Sequence, residues 1–311
     1  MLDLHYDLLS VIYQCYLRMD YSYLEKIILN YREDNIKGMI ANLYFMNEEE
    51  MKIFLGDNHP DIDVLEMFKL TTSKQKEYIS NTNIIYSIEG CDYIKDINEL
   101  EELYNLGLRS FLLVWNNKNK YGSGIKGSGG LTVLGKEFIT HAVKLGMTVD
   151  MSHMNKETFW DTYNLLKDLK NNGYDISVMA SHSNSYKVLP HLRNLDDDEL
   201  LALKELDALV GIVSYKDFIC DKDLDVNLAK GKYIEHIKHI ERIIGIDNIG
   251  VASDNMDFYL EFFNEESKNI FNYNNMASEI KDVLKDEYSD TDINKILYLN
   301  SYNKIFRRHI K

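Results

Sequence analysis

The sequence predicts an α/β protein folded as a (β/α)8 barrel of the TIM type, and three observations carry that prediction. Eight short apolar runs, bounded by polar residues or glycine, recur along the chain, and helix-period patterns lie between them. Alternation of this kind implies parallel strands joined by right-handed crossovers. The length of 311 residues suits one barrel domain over residues 1–311, with no composition break to mark a linker. An open doubly wound sheet is the alternative, but no Gly-x-Gly-x-x-Gly follows any of the runs.

The first run is Leu2 to Tyr6. A helix is predicted over Tyr21 to Asn35, where Leu24, Ile27, Ile28 and Tyr31 recur at three- and four-residue steps. The second strand is Gly38 to Leu43, with helical patterns after it from Asn47 to Ile53 and from Asp61 to Ile79. The third strand, Asn83 to Ile88, ends at Glu89-Gly90. Asp96 offers an N-cap for a short helix to Asn105, with Gly107 just past its end. The fourth strand is Ser110 to Trp115. The stretch Tyr121 to Gly130 contains five glycines but lacks the Gly-Lys-Ser/Thr ending of a phosphate-binding loop, and it reads as a mobile loop near the site. A helix over Thr132 to Leu145 is closed by Gly146, and the fifth strand, Met147 to Met151, ends at Ser152-His153. Asn155 caps a helix to Asn171, and the sixth strand, Ile176 to Ala180, ends at Ser181-His182-Ser183. A helix over Asp196 to Leu206 leads to the seventh strand, Ala208 to Val213. A helix over Lys232 to Ile244 leads to the eighth, Asn248 to Ser253, which ends at Asp254. Helices over Glu265 to Glu287 and Asp292 to Arg308 close the pattern.

Hydrophobic residues make up 45% of the chain, enough for a substantial core. Fifty acidic against 35 basic residues leave a net charge of −15, which argues against nucleic acid or an anionic membrane as partner, since both require basic patches. Cys15, Cys91 and Cys220 have neither zinc-finger nor redox spacing, so no disulfide framework or cysteine-based zinc site is expected. The sequence opens with no basic segment followed by an apolar run and holds no 18-residue apolar stretch, so a cytoplasmic protein without a membrane span is expected.

Ionisable residues fall at the strand ends: His5 and Asp7 on the first, Glu89 on the third, His153 on the fifth, His182 on the sixth and Asp254 on the eighth. In a barrel these ends open on one face, where barrel enzymes carry their active sites. His5 and Asp7 are also two apart, so an extended backbone sends both to the same side. A lone His-x-Asp is a weak signal, and a single strand-end histidine is more often a satisfied structural residue. Three imidazoles and three carboxylates at one mouth exceed the four ligands of tetrahedral zinc. They suit two divalent metals roughly 3.5–4 Å apart with a carboxylate between them, a place Glu89 can fill. The other histidines are assigned elsewhere: His141 inside a helix, His236 and His239 on a solvated helix face, His59 in a loop before Pro60, His309 at a frayed end, and His191 undecided because it lies near Arg193.

These residues also carry a family resemblance that runs in order along the whole chain. Asp3-Leu4-His5-Tyr6-Asp7 resembles the opening Asp-x-His-x-Asp of the membrane (renal-type) dipeptidases, zinc peptidases of the amidohydrolase barrel superfamily. Ile88-Glu89-Gly90 is similar to the family's Glu-Gly, and Gly107-Leu108-Arg109 with Leu113-Val114-Trp115-Asn116 to its fourth-strand segment. The most specific block is Gly130-Leu131-Thr132 through Gly135, then Gly146 to His153. Ala180-Ser181-His182-Ser183-Asn184 with His191-Leu192-Arg193-Asn194 follows, then Gly245-Ile246-Asp247, Ser253-Asp254 and Leu299-Asn300.

The resemblance implies a metal-dependent hydrolase that splits small dipeptides with two Zn2+ ions, other divalent metals being admissible. By position, His5 and Asp7 would bind one metal, His153 and His182 the other, and Glu89 would bridge them. Asp254 would handle the proton of the bridging water, as a carboxylate acting as general base can. Arg193 would grip the substrate's C-terminal carboxylate, a task suited to a bidentate guanidinium. Trp115 and Asn116 would lie on the substrate side.

Two departures stand out. Trp115 occupies the place of a histidine that stabilises the tetrahedral intermediate in the best-known members; Trp-Asn here resembles a bacterial-type subgroup. An indole donates one hydrogen bond but cannot become a cation. Asp254-Asn255-Met256-Asp257 also departs from the family's Asp-x-Asp-Gly after its first residue. Residues alone leave open another amidohydrolase-type hydrolase acting on an N-acyl amino acid, amide or lactone, or a catalytically weak member with a binding role. Whether the chain works alone or as a homodimer is likewise open.

Overall fold

All five residues of β1 (Leu2–Tyr6) are buried, as a strand enclosed on both faces requires. It is followed by β2 (Gly38–Tyr44), β3 (Asn83–Glu89), β4 (Leu108–Leu112), β5 (Thr148–Asp150), β6 (Ser177–Ala180), β7 (Leu209–Val213) and β8 (Ile249–Ala252). The computed structural model describes residues 1–20, 36–57, 61–79, 83–255, 257, 266–272 and 275–310. In it the eight strands pair in sequence order and close into one barrel, all in parallel. The expected (β/α)8 barrel is therefore the fold, and all the strands but the fourth lie within a residue of where the apolar runs placed them.

The described helices are α1 (Leu8–Arg18), α2 (Glu48–Leu55), α3 (Val64–Tyr78), α4 (Ile97–Leu106), α5 (Val133–Lys144), α6 (Lys156–Asn171), α7 (Asp197–Glu205), α8 (Val226–Ile244), α9 (Met276–Leu284) and α10 (Asp290–Asn294). The last continues through two π turns, Lys295–Leu299 and Tyr302–Phe306, into Arg307–His309. Local chemistry sets several starts. Asp96 accepts the amides of Asn98 and Glu99, Asn155 that of Thr158, and Asn47 with Glu50 and Asp196 with Glu199 form reciprocal capping boxes.

Three expectations change. Helix α1 lies where none was expected, because Leu8 through Cys15 are all buried and the narrow polar stripe of Asp7, Ser10 and Gln14 is set in an otherwise apolar run. The fourth strand stops at Leu112, which releases Trp115 and Asn116 into the connection above the barrel. Helix α8 begins at Val226, ahead of the expected Lys232. The expected helix over residues 21–35, together with His59 and Glu265, lies outside the described residues.

Two apolar layers hold the barrel. One lies between strands and helices; the other fills the interior with Leu2, Leu4, Ile40, Ile85, Met179 and Leu209, joined from the C-terminal helix by Ile305 and Phe306. Gly211 permits the close approach of β7 to the end of β6, since a Cβ there would lie 1.8 Å from the Ser181 carbonyl oxygen. The closing seam is finished by a side chain: Asp3 Oδ1 accepts the Ser253 amide at 2.9 Å and the His5 amide at 3.1 Å. Cys15, Cys91 and Cys220 are buried free thiols. No described helix is long and apolar enough to cross a membrane.

Candidate metal centre and active site

The C-terminal strand ends bring His5, Asp7, Glu89, His153, His182 and Asp254 to one buried cluster. Glu89, the last residue of β3, divides its carboxylate between two sets of neighbours. Its Oε2 lies 3.3 Å from His5 Nε2, while Oε1 lies 3.0 Å from His153 Nε2 and 3.7 Å from His182 Nε2. Asp7 joins His5 and Glu89 on the first side, and Asp254 Oδ1 stands 3.9 Å from His5 Nε2. Asp7 sits just beyond β1 and accepts the Ser10 hydroxyl at 3.2 Å.

Two of these residues are held in left-handed backbone, unusual for side chains with a Cβ: His153 at φ 68° and Asp254 at φ 48°. Such conformations persist where surrounding bonds over-determine them. The Asp254 amide donates to the His5 carbonyl at 3.0 Å, and His153 Nδ1 is 3.1 Å from Asn116 Oδ1.

The donor set fits divalent metal. Asn116 Oδ1 can only accept, so His153 Nδ1 carries its proton and Nε2 presents a lone pair. Burial, and after it the Arg193 charge, lowers the His153 pKa to about 4. Burial and the His5 and Arg193 charges push His182 well below its ordinary value, so both rings are neutral bases. Their Nε2 atoms nevertheless face each other at 3.0 Å. On the other side, His5 Nε2 is buried and has no hydrogen-bond partner among the described residues. Burial opposes charge on that ring, but Glu89, Asp7 and Asp254 outweigh it and raise its pKa to about 10. Asp7 is raised well above the carboxylate range by burial and by the Glu89 and Asp254 charges, and burial raises Asp254 too. A cluster that raises an imidazole so far is short of positive charge, which a metal cation supplies.

Several supporting residues carried no assignment in the sequence. Asp150 mirrors Asp3: its Oδ1 accepts the amides of Ser152 and Ser181, each at 3.0 Å, and fixes the ends of β5 and β6. The Ser181 hydroxyl lies 2.7 Å from His182 Nδ1 and 3.4 Å from His5 Nδ1, orienting rings whose Nε2 atoms face inward. His236 and His239 do not lie on a solvated face. His236 is buried, accepts the Ser185 amide at Nδ1 (3.0 Å) and donates from Nε2 to the Ile219 carbonyl (2.9 Å). His239 Nδ1 lies 2.8 Å from the Ser185 hydroxyl. Together they clasp the connection that carries Arg193. His309 is likewise docked rather than frayed, its Nε2 being 2.7 Å from Thr148 Oγ1.

Above the cluster opens a cavity of about 440 Å³. Arg193 lines it, is 4% exposed, donates from Nη2 to the His182 carbonyl at 3.2 Å, and has an Nε without a partner among the described residues. The Phe218 ring backs the guanidinium at 5.4 Å. His191, undecided from sequence, accepts the Arg193 amide and packs on Phe218. Trp115 forms a wall between Tyr44 (ring centroids 4.8 Å apart) and His153 (6.0 Å). The glycine-rich loop reaches the cavity through Ile125 and Lys126. It is tied down rather than loose: the amides of Gly124 and Lys126 bond to Asn117 and Asn116, and Asn155 Nδ2 donates to Gly127 and Gly129.

Comparison with known proteins places the chain in a family. The family model of the membrane dipeptidases, peptidase family M19, matches residues 48–308. The chain belongs to the membrane dipeptidase family. The matched span includes Glu89, His153, His182, Arg193 and Asp254, while His5 and Asp7 precede it. A dipeptidase from Aspergillus oryzae is 30% identical over 175 residues, 55% of this chain and 39% of its own. An uncharacterized protein encoded in the pqqA 5′ region of Klebsiella pneumoniae is 32% identical over 165 residues, 50% of this chain and 58% of its own. The chain thus aligns with about half the length of these curated relatives. In fold, it resembles a metallo peptidase from Rhodobacter sphaeroides solved with a phosphinate mimic of the dipeptide L-Ala-D-Ala, at TM-score 0.73 and 17% identity over 99% of this chain and 98% of that one.

Proposed function

We propose that the protein is a dinuclear metallo-dipeptidase, with zinc the expected metal. The observation that carries this reading is the split of the Glu89 carboxylate, one oxygen toward His5 and the other toward His153 and His182. On this reading His5 and Asp7 hold one ion, His153 and His182 hold the second, and Glu89 serves both. Bound there, the two ions would acidify water and polarise a carbonyl at neutral pH.

The protein's own groups supply the rest. Arg193 binds the substrate's terminal carboxylate: a buried guanidinium whose Nε has no partner among the described residues lines the cavity and calls for an anion. That contact sets how far the peptide bond lies from the cluster. Asp254, its pKa raised by burial, takes a proton and passes it to the leaving amine. Trp115 and Asn116 limit the cavity on the β4 side, with Asn116 also fixing the His153 ring. The dipeptide substrate of the Aspergillus relative's name points the same way.

The test is a panel of dipeptides in L,L and L,D configurations, with free amino acids measured before and after chelation. Chelator-sensitive release from at least one member is expected. A metal-loaded protein that releases none contradicts the proposal.

A further inference from the structure

The cavity has a second end, away from Arg193, and its lining is chemically distinct. Asp7, Ser10, Val11 and Gln14 follow the three- and four-residue spacing of one helix face, and all four line the cavity. At about 1.5 Å per residue, that stripe spans roughly 10 Å along α1 from Asp7. Gln14 is 5% exposed, yet its Oε1 has no hydrogen-bond partner among the described residues. Such an acceptor, buried beside a cavity, is costly unless a ligand donates to it.

Tyr44 and Glu50 line the same end. Glu50 Oε2 accepts the Tyr44 hydroxyl at 2.7 Å and the Asn47 amide at 2.9 Å, which fixes the carboxylate in place. The cavity's non-histidine cations enter elsewhere: Arg193 comes from the β6–α7 connection, and Lys126 is exposed on the β4–α5 loop. This end is therefore acceptor-rich and anionic.

Strand order fixes the direction. Gln14, Tyr44 and Glu50 follow β1 and β2, whereas Arg193 follows β6, across the mouth of the closed barrel. A dipeptide anchored by its carboxylate at Arg193 crosses the cluster and directs its N-terminal residue toward α1.

We infer that this arm selects an N-terminal residue with a long side chain ending in a hydrogen-bond donor, of the lysine or arginine type. Gln14 Oε1 and the Glu50 carboxylate receive the donor, and the Trp115–Tyr44 wall packs along the methylenes. The inference rests on the dipeptidase reading and narrows it.

The test compares kcat/KM for lysyl-alanine, norleucyl-alanine and glutamyl-alanine, each with L- and D-alanine, in the metal-loaded enzyme. Norleucine keeps the chain length and removes the charge. Lysyl substrates should exceed norleucyl ones by roughly tenfold or more, the scale of one charge-assisted hydrogen bond, with glutamyl substrates poorest. Glu50→Gln keeps a capping-box side chain, and Gln14→Leu fills similar space without an acceptor. The lysyl-to-norleucyl ratio should fall toward one in either variant, the norleucyl rate serving as the internal reference for folding. A ratio near one in the unmodified enzyme, or a ratio unchanged in both variants, overturns the inference and leaves the dipeptidase reading intact. Hydrolysis of no dipeptide at all overturns both.

Discussion

The Nε2 atoms of His153 and His182 face each other at 3.0 Å, although burial and neighbouring positive charge keep both rings neutral. Two bases aimed at one point, with Glu89 Oε1 3.0 Å from the first, form a site that a cation completes. Metal binding should accordingly stabilise the fold, because it favours the native state alone. Removing metal with a chelator should lower Tm and adding Zn2+ back should restore it, each bound ion contributing about 2.7 kcal/mol of stability at free metal 100 times its Kd. Calorimetry with and without chelator makes the comparison.

Arg193→Met should raise KM and lower kcat/KM for dipeptides by roughly 10- to 100-fold, the cost of a lost charge-assisted hydrogen bond. The same change should affect a dipeptide amide far less, since the amide offers no carboxylate. Equal losses on both substrates would remove Arg193 from carboxylate recognition.

Asp254→Asn should lower kcat by about 100-fold or more while metal content stays as in the unmodified protein. Asp254 stands 3.9 Å from His5 Nε2, and its loss leaves Glu89 with its imidazole neighbours. Loss of metal together with activity would make it a required ligand instead.

His236 gives a pH dependence separate from the metal cluster. Burial lowers its pKa from 6.5 to about 4, outweighing the Ile219 carbonyl that its ring contacts. The unfolded state therefore binds the extra proton first, so stability is complete above about pH 6.5 and declines as pH falls toward 4. The full loss is about 3 kcal/mol. His309, also lowered to about 4, contributes in the same window, so the decisive quantity is a difference. Denaturant unfolding of His236→Gln should show a shallower decline between pH 6.5 and 4 than the unmodified protein. Parallel curves would contradict the assignment.

The barrel and six cluster positions were legible because they depend on local pattern. Apolar runs give way to His5 and Asp7, Glu89, His153, His182 and Asp254 at their ends, and parallel topology alone collects those ends on one face. What escaped depends on tertiary partners. Asp3 and Asp150 work by accepting amides from a neighbouring strand, a pairing that exists only once the barrel closes. His236 sits in a segment rich in lysine and glutamate, and only the Ser185 and Ile219 contacts reveal its burial. Helix α1 hid in an apolar run, though Asp7, Ser10 and Gln14 did leave a polar stripe at helical spacing.

The most direct test of the central claim is to strip the protein of metal, titrate it with Zn2+, and measure bound zinc by elemental analysis alongside dipeptide hydrolysis. Two equivalents per chain are predicted, with hydrolysis rising to its maximum only as the second is bound. Saturation at one equivalent, or full hydrolysis in the stripped protein, would contradict a centre bridged by Glu89.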